Sequence, residues 1–150
     1  MNIQIYQSTC VANKLLEIAS KNNKTFTPMQ IIKLVYLAHA WMLALHMRPL
    51  IEEEVEAWKY GPVIPQLYQA IKNYKSNPVV SITCQSQKFD KDAQDIIQQV
   101  YDKYGHFDGI ELSMLTHEKN SPWEIAWRNG NSIISNDLIM HHYKKLAQNG

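Results

Sequence analysis

Histidine and glutamate side chains are the groups in this sequence that could perform acid–base chemistry. His117 and Glu118 are adjacent and precede the step Ser121-Pro122. Because histidine titrates near neutral pH, this pair could serve a small hydrolase as general acid and base, with His39 as a third candidate. No Ser, Cys or Asp in a nucleophile pattern accompanies them. We therefore favour the alternative that His117 caps the end of a helix, where free carbonyls accept hydrogen bonds.

The histidines also do not form a pattern typical of metal ligands. His39 and His46 are separated by seven residues in a helical segment, so they lie ~10.5 Å apart along the axis, too far to share one ion readily. His141 and His142 are adjacent and would point in different directions on a helix. The five glycines form no phosphate-binding loop. We expect no catalytic residues, no metal ligands and no cofactor.

A run of acidic residues precedes the middle of the chain and could bind a basic partner. It consists of Glu52, Glu53 and Glu54, with Glu56 two residues further on. Such a run could contact a basic protein surface or a hard cation. The alternative is a solvated strand edge whose charges discourage strand pairing.

The most constrained stretch is Trp58-Lys59-Tyr60-Gly61-Pro62-Val63-Ile64-Pro65. Its two prolines fix φ and keep the preceding residues out of the α region, while its glycine can adopt positive φ. Trp58 and Tyr60 belong to the residue types that anchor protein interfaces, and Lys59 lies between them. The stretch is therefore a rigid corner that packs on the core, binds a partner, or does both.

The elements that position these residues are mainly helices. Apolar spacing and capping residues predict helices over 8–22, 27–46, 65–74 and 91–104, shorter ones from 108 and 121, and a last one from 135 or 136. The helix over 27–46 is apolar nearly all round, which indicates a buried element. Residues 51–57 alternate like a strand, and 79–83 are rich in β-branched residues. We predict a mainly α fold: one globular domain, 1–150, of about six helices around 27–46, with a two-stranded ribbon of 51–57 and 79–83.

Composition places the chain among ordinary soluble proteins. The apolar fraction is 45% and the formal net charge is +1, so no global charge attracts nucleic acid or a membrane surface. Cys10 and Cys84 form no disulfide or metal motif. We expect a cytoplasmic protein in a reducing compartment.

Several blocks of the sequence occur in an order typical of one known family. The blocks are residues 11–16, 27–41, 49–50, 56–68, 115–117 and 121–123. The residues that carry the pattern are Thr27, Pro28, Lys33, Tyr36, His39, Trp41, Gly61, Pro62, Val63, Pro65, Tyr68, His117, Pro122 and Trp123. On these residues the chain resembles the SocA-like antitoxins, the Panacea domain family, which includes phage-associated GepA-like proteins; the match spans roughly residues 8–145.

The resemblance implies a mainly helical domain without catalytic activity. It implies an antitoxin that neutralises, by direct contact, a protein toxin encoded by an adjacent gene, and for some relatives an adaptor role that delivers the toxin to a protease. We expect Trp58, Lys59, Tyr60 and the acidic run to contact the partner. The alternatives are a hydrolase or metal enzyme that uses His117, Glu118 and His39, or a phage-derived regulator that binds a host factor.

Overall fold

The fold is built around one long apolar helix, α2 (Pro28–His46), in a computed structural model that describes residues 4–85 and 87–149. Within those residues the chain forms seven α-helices, one 3-10 turn and three short strands. The other helices are α1 (Ser8–Lys21), α3 (Pro65–Ile71), α4 (Lys91–Tyr104), α5 (Gly109–Thr116), α6 (Pro122–Arg128) and α7 (Asn136–Asn149). The 3-10 turn is Lys72–Tyr74, and the strands are β1 (Val55–Trp58), β2 (Gly61–Val63) and β3 (Ile133–Ile134). The mainly helical, single-domain prediction is confirmed; residues 1–3, 86 and 150 of the predicted range lie outside the described residues.

The central helix is buried by neighbours on all sides. Every residue from 31 to 40 is buried, and α1, α4, α5 and α7 all pack on α2. Among the described helices, α2 is the one long and apolar enough to cross a membrane, but 78% of its most apolar stretch is buried inside the domain. We therefore identify it as the core helix, as its all-round apolar pattern predicts.

Local sequence explains where this helix begins and ends. The Thr27 side chain accepts a hydrogen bond from the Gln30 backbone, and the Gln30 side chain accepts one from the Thr27 N–H 2.8 Å away, so these two residues form a capping box. Pro28 occupies the first helical turn, where its missing N–H costs no hydrogen bond. Met47 ends α2 in the left-handed conformation, with φ 54°.

The small sheet differs from the predicted ribbon in its partners. Its strand order is β2-β1-β3, and both pairs are antiparallel. The β1 strand pairs with β2, which follows it directly, and with β3 near the C-terminus. The predicted pairing of 51–57 with 79–83 is wrong, although Ile51, Val55 and Ala57 are buried as their alternation predicts.

Residues 79–83 satisfy their backbone elsewhere. The N–H of Val79 donates to the carbonyl of Phe26 at 2.8 Å, and the N–H of Ile82 donates to the side-chain oxygen of Asn13 at 3.1 Å. Val79 and Ile82 are both buried. The β-branched residues of this segment therefore mark extended chain that packs on the core, without strand pairing.

Candidate partner-binding site

The β1–β2 hairpin presents its tip, Lys59–Tyr60, at the surface. Trp58 pairs with Gly61 across the hairpin, so only two residues form the turn. Gly61 has φ +122°, a conformation that side-chain-bearing residues rarely adopt. The Tyr60 side chain is 69% exposed, whereas Trp58 is half-buried and contacts the Tyr68 ring edge-on at a centroid distance of 5.1 Å.

Side chains from two helices hold the backbone of this tip. The Nζ of Lys33, on α2, donates to the carbonyl oxygens of Pro62 at 3.0 Å and Tyr60 at 3.4 Å. The hydroxyl of Ser113, on α5, donates to the same Tyr60 carbonyl at 2.9 Å. The side chain of Tyr60 is therefore exposed, while hydrogen bonds to its carbonyl fix the position of its backbone.

Lys33 is buried, with only 4% of its surface exposed. Burial lowers the pKa of its ammonium group to about 8, because a charge loses hydration free energy in an apolar environment. Lys33 also approaches Gly61 closely, since a Cβ on this glycine would lie 2.8 Å from the lysine Nζ. The φ of Gly61 therefore favours glycine, and a side chain at this position would also displace the lysine ammonium group.

The C-terminal family residues support the same hairpin from another side. The indole N–H of Trp123 donates to the carbonyl of Trp58, and the Trp123 ring packs edge-on against His117 at a centroid distance of 5.3 Å. His117 follows the last residue of α5, and its Nδ1 contacts the Ser113 carbonyl one turn earlier. This arrangement matches the predicted helix-capping role of His117.

An open groove of about 420 Å³ runs beside the hairpin. Its apolar and aromatic lining consists of Pro28, Met29, Ile32, Trp58, Tyr60, Val63 and Tyr68. Its polar lining consists of Ser113 and four lysines, Lys33, Lys59, Lys72 and Lys75. Within the part of the chain that the structure describes, the groove therefore combines an apolar surface with ionic groups that are all positively charged.

The acidic run lies outside this groove, and two of its glutamates accept hydrogen bonds from other residues of the domain. The Glu53 carboxylate accepts hydrogen bonds from the Ser8 N–H, at 2.9 and 3.1 Å, and from the Ser8 hydroxyl, at the start of α1. The start of α1 is thus capped by a glutamate that is distant in sequence. Glu56 accepts from the Trp58 indole N–H at 2.9 Å, while Glu52 and Glu54 are exposed.

His39 has a structural environment that differs from that of His117. It is fully buried, and its Nδ1 accepts from the backbone N–H groups of Leu50 and Ile51, at 3.2 and 3.3 Å. Its Nε2 lies 2.9 Å from the side-chain oxygen of Asn136, to which it donates in this tautomer. Both ring nitrogens are therefore used by the fold, and neither is directed at the His117–Glu118 pair.

The other family residues are helix starters and core aromatics. Pro65 and Pro122 occupy the first turns of α3 and α6. Trp41 donates its indole N–H to the Tyr104 hydroxyl at 3.0 Å. Tyr36 is completely buried, with its ring edge-on to Tyr143.

Sequence reasoning missed part of the groove. Met29, Ile32, Lys72, Lys75 and Ser113 were not predicted to belong to a site. Met29 is a helix-surface neighbour of both Ile32 and Lys33 on α2, because residues three and four apart are neighbours on a helix. That spacing is a signal that could have indicated them, whereas Ser113 is brought in only by tertiary packing.

Comparison with known proteins assigns the family. Residues 31–124 match the family described as "Antitoxin SocA-like, Panacea domain". The protein "Antitoxin SocA" of Caulobacter vibrioides (strain NA1000 / CB15N) is 26% identical over 133 residues, which cover 81% of this chain and 71% of that protein. No solved structure matches the chain. Because the family match covers more than half of its length and includes Lys33, the hairpin, His117 and Trp123, this chain belongs to the SocA-like, Panacea-domain antitoxin family.

Proposed function

We propose that this chain is a cytoplasmic, non-enzymatic antitoxin that silences a protein toxin by binding it directly at the hairpin tip and the adjoining groove. The observation that carries this proposal is the exposed Tyr60 on a backbone fixed by Lys33 and Ser113, next to an open apolar groove. The toxin is the product of an adjacent gene, and the whole range 1–150 acts as one domain.

The geometry suits recognition of a protein better than catalysis. An aromatic residue held on rigid backbone loses little conformational freedom on binding, so more of its contact energy appears as affinity. Tyr60 and the half-buried Trp58 are of the types that dominate interface energetics. Lys59 lies with its Nζ 5.4 Å from the centre of the Tyr60 ring, and this contact restricts the tip further.

The proposal is tested by co-expressing this chain with the product of the neighbouring reading frame. We expect the wild-type chain to restore growth and to co-purify with that product. The variant Tyr60→Ala should lose about tenfold or more in affinity, as interface aromatics do when truncated. Leu146→Ala, which removes an exposed apolar side chain from α7, is the matched control and should behave like wild type.

A growth assay without a binding measurement would not separate silencing from degradation. The toxin level is therefore followed in cells that lack individual cytoplasmic proteases. Rescue with an unchanged toxin level supports direct silencing, while rescue that requires one protease supports the adaptor role. A folded Tyr60→Ala protein that binds and rescues like wild type would contradict the proposed site.

A further inference from the structure

We propose that the groove beside the hairpin binds an acidic segment of the partner protein, with one carboxylate placed on the Lys33 ammonium group and a neighbouring apolar side chain against the apolar lining of the groove. The inference rests on the proposed function, because the partner is the toxin. The inference goes beyond the proposed function by specifying which chemical groups of the toxin the groove would bind.

The first observation is that Lys33 has no counter-ion among the residues that the structure describes. It lies in the groove lining, 96% of its surface is removed from solvent, and its contacts are the carbonyl oxygens of Tyr60 and Pro62. Within residues 4–85 and 87–149, no ion pair includes Lys33. An ammonium group has three N–H donors, so one donor remains for a ligand. A buried charge without a counter-ion is costly, and a carboxylate from a partner would remove that cost.

The second observation is the sign of the surrounding charges. Lys59, Lys72 and Lys75 line the same groove and are exposed, whereas none of the described aspartates and glutamates belongs to its lining. The whole chain has a net charge of only +1, so this groove concentrates positive charge locally. Complementary charges favour an acidic partner and disfavour a basic one.

The third observation is the apolar surface between the lysines. Ile32 and Val63 contribute aliphatic surface to the lining, and Trp58, Tyr60 and Tyr68 contribute aromatic surface. A volume of about 420 Å³ accommodates one large side chain together with a carboxylate group. An acidic segment with an aromatic or aliphatic residue therefore fits the groove better than a uniformly charged one.

Lysines interleaved with aromatics can also bind single-stranded nucleic acid, which stacks bases on rings. The position of Lys33 favours the protein partner. Its ammonium is buried at one point of a short groove, whereas a polyanion needs cations exposed along an extended track. Nucleic acid is therefore an outcome that the experiment must be able to detect.

The test uses the full chain and defined probes. The probes are a blocked peptide with the sequence Glu-Phe-Glu-Glu, its isosteric Gln-Phe-Gln-Gln analogue and a short oligothymidylate. Binding is measured by calorimetry, and the Cε signals of isotope-labelled lysines are followed by NMR. We expect the acidic peptide to bind about tenfold more tightly than the amide analogue and to shift the Lys33 signal.

The variant Lys33→Met keeps the length of the side chain and removes its charge. It should lower affinity for the acidic peptide about tenfold, while Lys145→Met, on the exposed face of α7, should leave affinity unchanged. Circular dichroism and thermal melting establish that Lys33→Met is folded; if it is not, the two peptides on wild-type protein still decide the question. Equal affinity for both peptides, or tighter binding of oligothymidylate that depends on Lys33, would overturn the inference.

The toxin assay separates this inference from the proposed function. If folded Lys33→Met neutralises and binds the toxin like wild type while Tyr60→Ala does not, the carboxylate inference fails and the proposed site stands. If Tyr60→Ala also neutralises like wild type, the groove is not the toxin-binding surface and both fail. Loss of binding in both variants, with Lys145→Met unchanged, supports both.

Discussion

At the scale of single residues, His39 uses both of its ring nitrogens in hydrogen bonds that hold elements of the fold together. It joins α2 to the chain after it, through Leu50 and Ile51, and to the start of α7, through Asn136. Burial lowers the pKa of His39 to about 4, since the protonated ring would be charged in the core and could no longer accept from the two backbone N–H groups.

This pKa predicts a defined pH dependence of stability. The neutral ring is favoured in the folded state, while in the unfolded chain the ring takes up a proton below pH 6.5. The contribution of His39 is therefore fully present above pH 6.5 and is lost as the pH falls toward 4, by about 3 kcal/mol in total.

Urea unfolding at a series of pH values measures this loss. We expect the free energy of unfolding to decrease between pH 6.5 and 4 in wild type and in His106→Asn, which replaces an exposed histidine. His39→Asn should be less stable at pH 7 and should lose most of the slope in that range. An unchanged slope in His39→Asn would mean that other groups cause the pH dependence.

At the scale of elements, the acidic run contains one glutamate that caps a helix and one that is exposed to solvent. Glu53 caps the start of α1 from forty-five positions away in sequence, while its neighbour Glu52 is exposed. The carboxylate accepts from the backbone N–H of Ser8, which has no partner within the helix, and carries the charge that a helix N-terminus favours.

We therefore expect the two glutamates to respond differently to substitution. Glu53→Ala should lower the free energy of unfolding by about 1–2 kcal/mol, as loss of a helix cap does. Glu52→Ala, the matched control in the same run, should change it by less than about 0.5 kcal/mol. Thermal melting of both variants checks this, and equal effects would show that Glu53 is not a cap.

The helices were predictable from local sequence, while the contacts between distant residues were not. Thr27, Asp90 and Asp108 cap helices as their side chains predict, because a cap is decided within four residues. The pairing of β1 with β3 and the Glu53 cap depend on residues far apart in sequence. Lys33 was recognised as a family residue, but only the packed structure shows that it is buried beside the hairpin and lines a groove.

At the scale of the whole molecule, side chains from three helices converge on one hairpin, and two of them, Lys33 and Trp123, belong to the family pattern. Lys33 from α2, Ser113 from α5 and Trp123 from α6 each donate a hydrogen bond to a backbone carbonyl of residues 58–62. Three separate helices thus set the position of the tip. A change in the core near any of these residues would reach the surface that we propose binds the toxin.

The fixed backbone of Tyr60 has a consequence for the kinetics of complex formation. Since the tip needs no rearrangement, association should approach the range of about 10⁵–10⁷ M⁻¹ s⁻¹ that is typical of preformed protein surfaces. With an acidic partner the lysines of the groove should raise this rate further at low ionic strength. Stopped-flow mixing with the neighbouring gene product should show association that slows as salt is added, and dissociation that changes little. Affinity for different partners would then be set mainly by how long each one stays bound.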